Sequence, residues 1–402
     1  MTLVRINLHP RIEALAPSAT LGMKAKAKAL ADRGIAVVSL GAGEPNFETP
    51  PAIIDAAISA LRRGVNHYTA SRGTDELVKA ICAKFKRDQH VHYEPAQVMA
   101  TCGSKAAFST AFDALLGEGD EAIIFSPYWV TYPELIRLAG ATPVVVDCKA
   151  ENGYLPTVEN FRAALTHKTK LVVLNSPNNP TGVVWPERVL RQIMDELKGT
   201  SVCVLSDEIY EHIVFDDAKH VSPASFSDDA YERTIVICGA SKGYAMTGWR
   251  VGYMGGPKDL IQGMLKLQEQ RYTCITGVAQ AAAAFALQEN ADVHADIERM
   301  RQAYQKRRDL ALELLADVHQ IRTVRPSGAF YLMMDLSALI GKMHRGAPVL
   351  NDIDLAERLL AEGHVATVPG TPFGAPGTLR ISLASAEEEI KEGLTRIKQW
   401  LM

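Results

Sequence analysis

The chemistry of this chain centres on a lysine. Gly239-Ala240-Ser241-Lys242-Gly243-Tyr244-Ala245-Met246-Thr247-Gly248-Trp249-Arg250 follows an apolar run and mixes small residues with aromatic ones. A lysine taken alone is nearly always a solvated surface charge. Partial desolvation among such neighbours would depress its pKa and leave a nucleophilic amine suited to Schiff-base chemistry. Arg250 offers a planar fork for phosphate oxygens.

Four more polar clusters complement it. In Ser206-Asp207-Glu208-Ile209-Tyr210, Asp207 is either a helix N-cap or a buried carboxylate facing a cationic ring nitrogen, with Tyr210 donating to a phenolate oxygen. Thr101-Cys102-Gly103-Ser104-Lys105 reads as a strand-to-helix turn, or as a helix start whose free N–H groups suit a phosphate. Asn175-Ser176-Pro177-Asn178-Asn179-Pro180-Thr181-Gly182 is a rigid turn that can also hold an Asn amide against a ligand. Arg380, in Gly377-Thr378-Leu379-Arg380-Ile381-Ser382, sits alone in an apolar strand. An unpaired charge there is costly, so a carboxylate ligand or a structural ion pair must compensate it.

The elements that position these clusters follow from the hydrophobic pattern. Short apolar runs predict strands at Val98–Thr101, Ala122–Phe125, Pro143–Asp147, Leu171–Leu174, Val202–Ser206, Thr234–Cys238 and Val251–Met254. Helix-patterned stretches such as Lys105–Leu116 and Glu187–Leu197 lie between them. This rhythm predicts an α/β fold with a mostly parallel central sheet, whose ligands bind beyond the carboxyl ends of the strands. From Lys258 to Leu315 the chain lacks proline and reads as helix. Strands at Gly328–Met334 and Thr378–Leu383 and a helix from Ser385 then predict a smaller α+β domain. The division expected is 1–47 packing with the small domain, 48–285 as the large domain and 286–402 as the small one.

Composition narrows the function. With 402 residues the chain can bury a core without disulfides or metals, and its net charge of −3 gives no reason to expect a nucleic-acid or anionic-membrane partner. No apolar run is long enough to span a bilayer, and the first residues lack the apolar stretch of a secretory signal. Cys82, Cys102, Cys148, Cys203, Cys238 and Cys274 are scattered singly. They read as reduced thiols of a cytoplasmic protein, with no zinc or redox motif.

Taken in order, GAGEPNFETP (41–50), SPYWVTYPE (126–134), NSPNNPTG, SDEIYEH, SKGYAMTGWRVGY and RPSGAFY resemble the fold-type I pyridoxal-phosphate enzymes, specifically class-I aminotransferases of the bacterial aspartate aminotransferase type. The resemblance runs from Pro17-Ser18-Ala19-Thr20 to the last helix. It implies that Lys242 carries pyridoxal 5'-phosphate as a Schiff base and Asp207 pairs with the pyridine nitrogen. Tyr210 and Asn179 would bond the phenolic oxygen, and Trp129 would stack on the ring. Gly103, Ser104, Lys105, Ser241 and Arg250 belong to the cofactor set it implies, with Gly103, Ser104 and Arg250 cradling the phosphate. Tyr68 matches a tyrosine that reaches the neighbouring subunit's phosphate, which implies a homodimer with shared sites. Arg380 would take the substrate α-carboxylate, helped by Asn179 and the backbone at Gly43.

The implied reaction is a ping-pong exchange between an amino acid and a 2-oxo acid. Thr20 and Lys105 match residues that recognise a side-chain carboxylate in the resembling subgroup. This favours aspartate and glutamate with their keto acids, and it also suits prephenate. One stretch departs from the pattern: Gln268–Gly277 replaces a Ser/Thr-rich segment containing a proline. Arg271 within it is a candidate for the distal carboxylate or a surface cation. A specialised or aromatic substrate, or a lyase reaction on the same fold, remains open.

Overall fold

A computed structural model describes residues 7–402. All seven strands expected for the large sheet form, each within two residues of its expected ends: β1 (Val98–Thr101), β2 (Glu121–Ser126), β3 (Thr142–Asp147), β4 (Thr169–Asn175), β5 (Cys203–Asp207), β6 (Thr234–Gly239) and β7 (Gly252–Gly255). They lie in the order β1-β7-β6-β5-β4-β2-β3. Only β7 runs against its neighbours, antiparallel to both β1 and β6. The other pairings are parallel.

This topology brings the polar clusters together. The carboxyl ends of β1, β4, β5 and β6 share one edge of the sheet, which puts the turns after Thr101, Asn175, Asp207 and Gly239 side by side. The reversed β7 begins at that same edge, since Gly252 pairs with both Thr101 and Gly239. Arg250, just before it, therefore joins the group.

Both faces of the sheet are covered, which is why its strands are Val- and Ile-rich without alternation. Met99, Phe108, Phe112, Ile124, Leu205 and Ile237 share one core cluster, and Ile123, Phe125, Val172, Leu174, Val204 and Ile193 share another. Each such side chain contributes about 1.5–3 kcal/mol by leaving water.

Beyond β7, the stretch expected to be helix breaks into three: Lys258–Tyr272, Gly277–Leu287 and Ala291–Leu315. At the first break Thr273 takes a left-handed φ of 62°. At the second, the Asn290 side chain caps the next helix by accepting from the N–H groups of Asp292 and Val293. The last helix serves two cores: Val293 packs beside the helices near the large sheet, while Met300, Tyr304 and Ala311 join the core of a second sheet.

That second sheet has four antiparallel strands, β8 (Arg322–Thr323), β9 (Tyr331–Asp335), β10 (Val368–Pro369) and β11 (Thr378–Ser382), ordered β10-β11-β9-β8. Helices Asp352–Gly363 and Glu387–Leu401 pack in its core, and Leu40 is buried with them. The entering chain is tied there as well, because Val38 and Ser39 pair in parallel with Val365 and Ala366. Among the described residues no helix is long and apolar enough to cross a membrane. All six cysteines are free; Cys148, Cys203 and Cys238 are buried and Cys102 is exposed.

Candidate active site

A cleft of about 330 Å³ opens at the shared strand edge, floored by the large sheet and walled by β9, β11 and the helix Ala19–Ala31. Lys242, Asp207, Tyr210, Asn179, Arg250 and Arg380 all line it. So do Thr20, Gly43, Ser104, Lys105, Trp129 and Ser241. Three residues singled out from the sequence lie elsewhere. Gly103 sits just behind the guanidinium of Arg250. Tyr68 is 89% exposed on the chain's own surface. Arg271 is ion-paired with Asp113 at 2.5 Å.

Lys242 sits in the turns that follow β6. Its Nζ donates to the carbonyl of Gly43 at 2.6 Å, and among the described residues no carboxylate pairs with it. Burial pushes its pKa down to about 8; the nearby Glu44 charge opposes the fall, and the charges of Arg250 and Arg380 add to it. A fraction of the amine is thus neutral near pH 7, as a nucleophile requires.

Asp207 ends β5 and is 4% exposed. No helix follows it, so it caps none. Its Oδ2 accepts from the hydroxyl of Tyr132, and its Oδ1 accepts from the N–H of Ile209 at 3.3 Å. Burial raises its pKa to about 7, although both donors oppose the rise. A buried acid without a cationic partner favours its neutral form, so this carboxyl is set to meet an incoming cation.

The loop after β4 is locked from within. Asn175 Oδ1 accepts from the Asn179 N–H at 3.0 Å, and Asn178 Oδ1 accepts from the Thr181 hydroxyl at 2.7 Å. Asn179 Oδ1 in turn accepts from Arg380 Nη1 at 3.0 Å, which turns the Asn179 NH2 away from Arg380. Arg380 is 2% exposed. Its Nη2 donates to Gly41 O at 2.8 Å, and the guanidinium lies 4.4 Å from the Tyr331 ring centroid and 4.9 Å from that of Phe373. Its Nε has no partner, and among the described residues no carboxylate answers its charge. Burial holds its pKa below the ordinary guanidinium value. The structural ion pair considered for Arg380 therefore does not form among the described residues.

At the anion end, the helix Ser104–Leu115 points its first turn at Arg250. Gly103 has φ +77°, and a Cβ there would lie 2.3 Å from Arg250 Nη2. A Cβ on Gly239 would lie 2.5 Å from Ser104 Oγ. The two glycines thus keep a concave cradle open beside free N–H groups and a guanidinium. Lys105 Nζ lies 5.1 Å from the Trp129 ring centroid; burial and then Arg250 lower its pKa.

A buried polar cluster adjoins the turn that follows β5. Glu208, fully buried, accepts from Ser222 at 2.7 Å and Ser206 at 2.8 Å, and its other oxygen meets His220 Nε2 at 2.9 Å. Lys84, also fully buried, is bonded to Glu211 and to Gln89. The SDEIYEH motif was the available signal for Glu208 and Glu211. Tyr132 lies within SPYWVTYPE, yet nothing local marks its contact with Asp207.

Comparison with known proteins agrees with this geometry. Residues 35–397 match the family described as aminotransferase class I and II. The aspartate aminotransferase of Bacillus subtilis is 40% identical over 397 residues, covering 98% of this chain and 99% of the relative. The aspartate/prephenate aminotransferase of Cereibacter sphaeroides is 42% identical over 384 residues, covering 95% of each. The solved structure of Thermus thermophilus aspartate aminotransferase with maleate superposes with a TM-score of 0.93 at 42% identity, covering 99% of this chain and 100% of that one. With the fold, the cleft and these matches in agreement, the chain belongs to the class I and II aminotransferases and is an aminotransferase of the bacterial aspartate aminotransferase type.

Proposed function

We propose that this aminotransferase binds pyridoxal phosphate covalently at Lys242 and exchanges amino groups between acidic amino acids and 2-oxo acids, foremost aspartate and glutamate with oxaloacetate and 2-oxoglutarate. Class I aminotransferases depend on pyridoxal phosphate, and the residues of this chain fit that group. One observation carries the reading: an amine with a pKa of about 8 and a carboxyl with a pKa of about 7 line one cleft, neither ion-paired among the described residues. The cradle that Gly103 and Gly239 keep open at Ser104 and Arg250 suits a phosphate, and the buried guanidinium of Arg380, answered by no carboxylate among the described residues, suits a carboxylate ligand.

In this reading Lys242 Nζ would hold the cofactor and would carry the proton removed from the substrate Cα. Asp207 would keep a proton on the ring nitrogen. Tyr210 and the Asn179 NH2 would donate to the phenolic oxygen, and Trp129 would pack against the ring. The first turn of the helix at Ser104, with Ser241 and Arg250, would hold the phosphate. When bound, pyridoxal phosphate supplies an electron-withdrawing ring that accepts the charge left as the Cα–H bond breaks. Proton transfer by a positioned amine contributes about 10²–10⁴-fold by itself.

Arg380 orients the α-carboxylate against Asn179 and the backbone near Gly43. Thr20 and Lys105, across the cleft, meet the distal carboxylate. Support for a dicarboxylate comes from the positions of those two residues and from the relatives' names, one of which carries maleate. Prephenate is a second dicarboxylate for the same site, because the Cereibacter relative is named for it. The exposed Tyr68 completes the phosphate site of a second copy, making the working unit a homodimer.

Reconstitution with pyridoxal phosphate followed by borohydride should leave the cofactor trapped on Lys242. Adding aspartate to the unreduced protein should release oxaloacetate without free ammonia. Stoichiometric ammonia would replace this reading with a lyase, and the absence of trapping at Lys242 would end it.

A further inference from the structure

Behind Asp207, outside the lining of the cleft, lies a buried tyrosine with no task in the proposed roles. Tyr132 follows Trp129 by one turn, on the helix Thr131–Leu138, and is 1% exposed. Its hydroxyl donates to Asp207 Oδ2, the only side-chain hydrogen bond to that carboxylate among the described residues. Because Ile209 N–H serves the other oxygen, the two donors fix the plane of the carboxylate. The Tyr132 ring meets Trp129 edge-on, with centroids 5.3 Å apart and an interplanar angle of 87°, and it meets Phe108 at 5.3 Å.

We infer that Tyr132 is a positioning residue, whose hydroxyl keeps Asp207 ionised and aimed at the cofactor's ring nitrogen while its ring sets the tilt of Trp129. The inference rests on the proposed cofactor reading. Its chemical sense lies in the choice of a neutral donor. A carboxylate in a dry site needs hydrogen bonds to stay charged. An arginine or lysine would provide them but would also cancel the negative charge that the ring nitrogen requires. A phenol stabilises the anion and leaves its charge available. Burial, followed by the nearby Asp207 charge, pushes the Tyr132 phenol well above its ordinary pKa, so it remains a donor. Without it, the desolvated carboxyl competes with the ring nitrogen for the proton.

The test uses holoenzyme loaded with pyridoxal phosphate labelled with ¹⁵N in the ring. In Tyr132→Phe the ring resonance should move from the protonated toward the neutral position. The kcat should fall about tenfold or more, as expected for a hydrogen bond to a charged group, with KM changed by less than about threefold. In an Asp207→Asn background, Tyr132→Phe should produce no further movement of the resonance. In Tyr132→3-fluorotyrosine, nearly the same shape but a stronger donor, the pH at which the resonance leaves its protonated position should rise, and this variant serves if the phenylalanine variant does not fold. An unchanged resonance in Tyr132→Phe, or an unchanged pH midpoint in the fluorotyrosine variant, with Lys242 still trapped by borohydride, overturns the inference even if activity or melting temperature drops. If wild-type protein itself fails to trap cofactor at Lys242, the cofactor reading has failed instead.

Discussion

Replacing Arg380 with lysine keeps a cation in the cleft but removes the fork. In the structure Nη1 and Nη2 are held by Asn179 and Gly41, and the guanidinium packs against the rings of Tyr331 and Phe373. A lysine can neither present two in-plane donors nor stack in that slot. One charge-assisted hydrogen bond to the substrate α-carboxylate is then lost, about 1.5–3 kcal/mol. The lost cation–π packing adds about 0.5–1 kcal/mol. The sum, about 2–4 kcal/mol, corresponds to roughly a 30- to 1000-fold drop in kcat/KM at about 1.4 kcal/mol per decade. Steady-state kinetics with aspartate and with alanine, each against 2-oxoglutarate, measure it. Every amino acid carries the α-carboxylate, so both substrates should lose the same factor. A loss confined to aspartate would refute the assignment and make Arg380 a reader of the side chain.

Three further outcomes follow from the same geometry. Lys105→Ala should raise KM for aspartate about tenfold, the worth of one charged hydrogen bond, and leave alanine nearly unchanged; equal effects would place Lys105 outside substrate recognition. Trapping of pyridoxal phosphate on cofactor-free protein should accelerate as pH rises and reach half its maximum near the Lys242 pKa of about 8, because only the neutral amine attacks; a rate still climbing toward pH 10 would contradict the desolvation described. Since Asp113 already engages Arg271, Arg271→Ala should cost aspartate and alanine equally little in kinetic assays, whereas a loss restricted to aspartate would assign Arg271 to the distal carboxylate.

The strands of the large sheet and the polar residues that gather at their ends were legible from the chain alone, for a local reason. A strand covered on both faces must be a short apolar run, and a ligand site at its end must be polar, so each boundary carries its own contrast. Lys242, Asp207, Asn179 and Arg380 stand out by that contrast. The helix breaks near Thr273 and Asn290 carry none, since an Ala- and Gln-rich stretch without proline suits one helix as well as three. Only tertiary structure put Tyr132 on Asp207, 75 residues away, and buried Lys84 against Glu211, 127 residues away. The same is true of Arg380's answer to its own charge, which is two neutral acceptors and two aromatic rings in place of an acid. Residue type reveals what a side chain can do. Whether it is dry, and which distant group meets it, depends on how the whole chain packs.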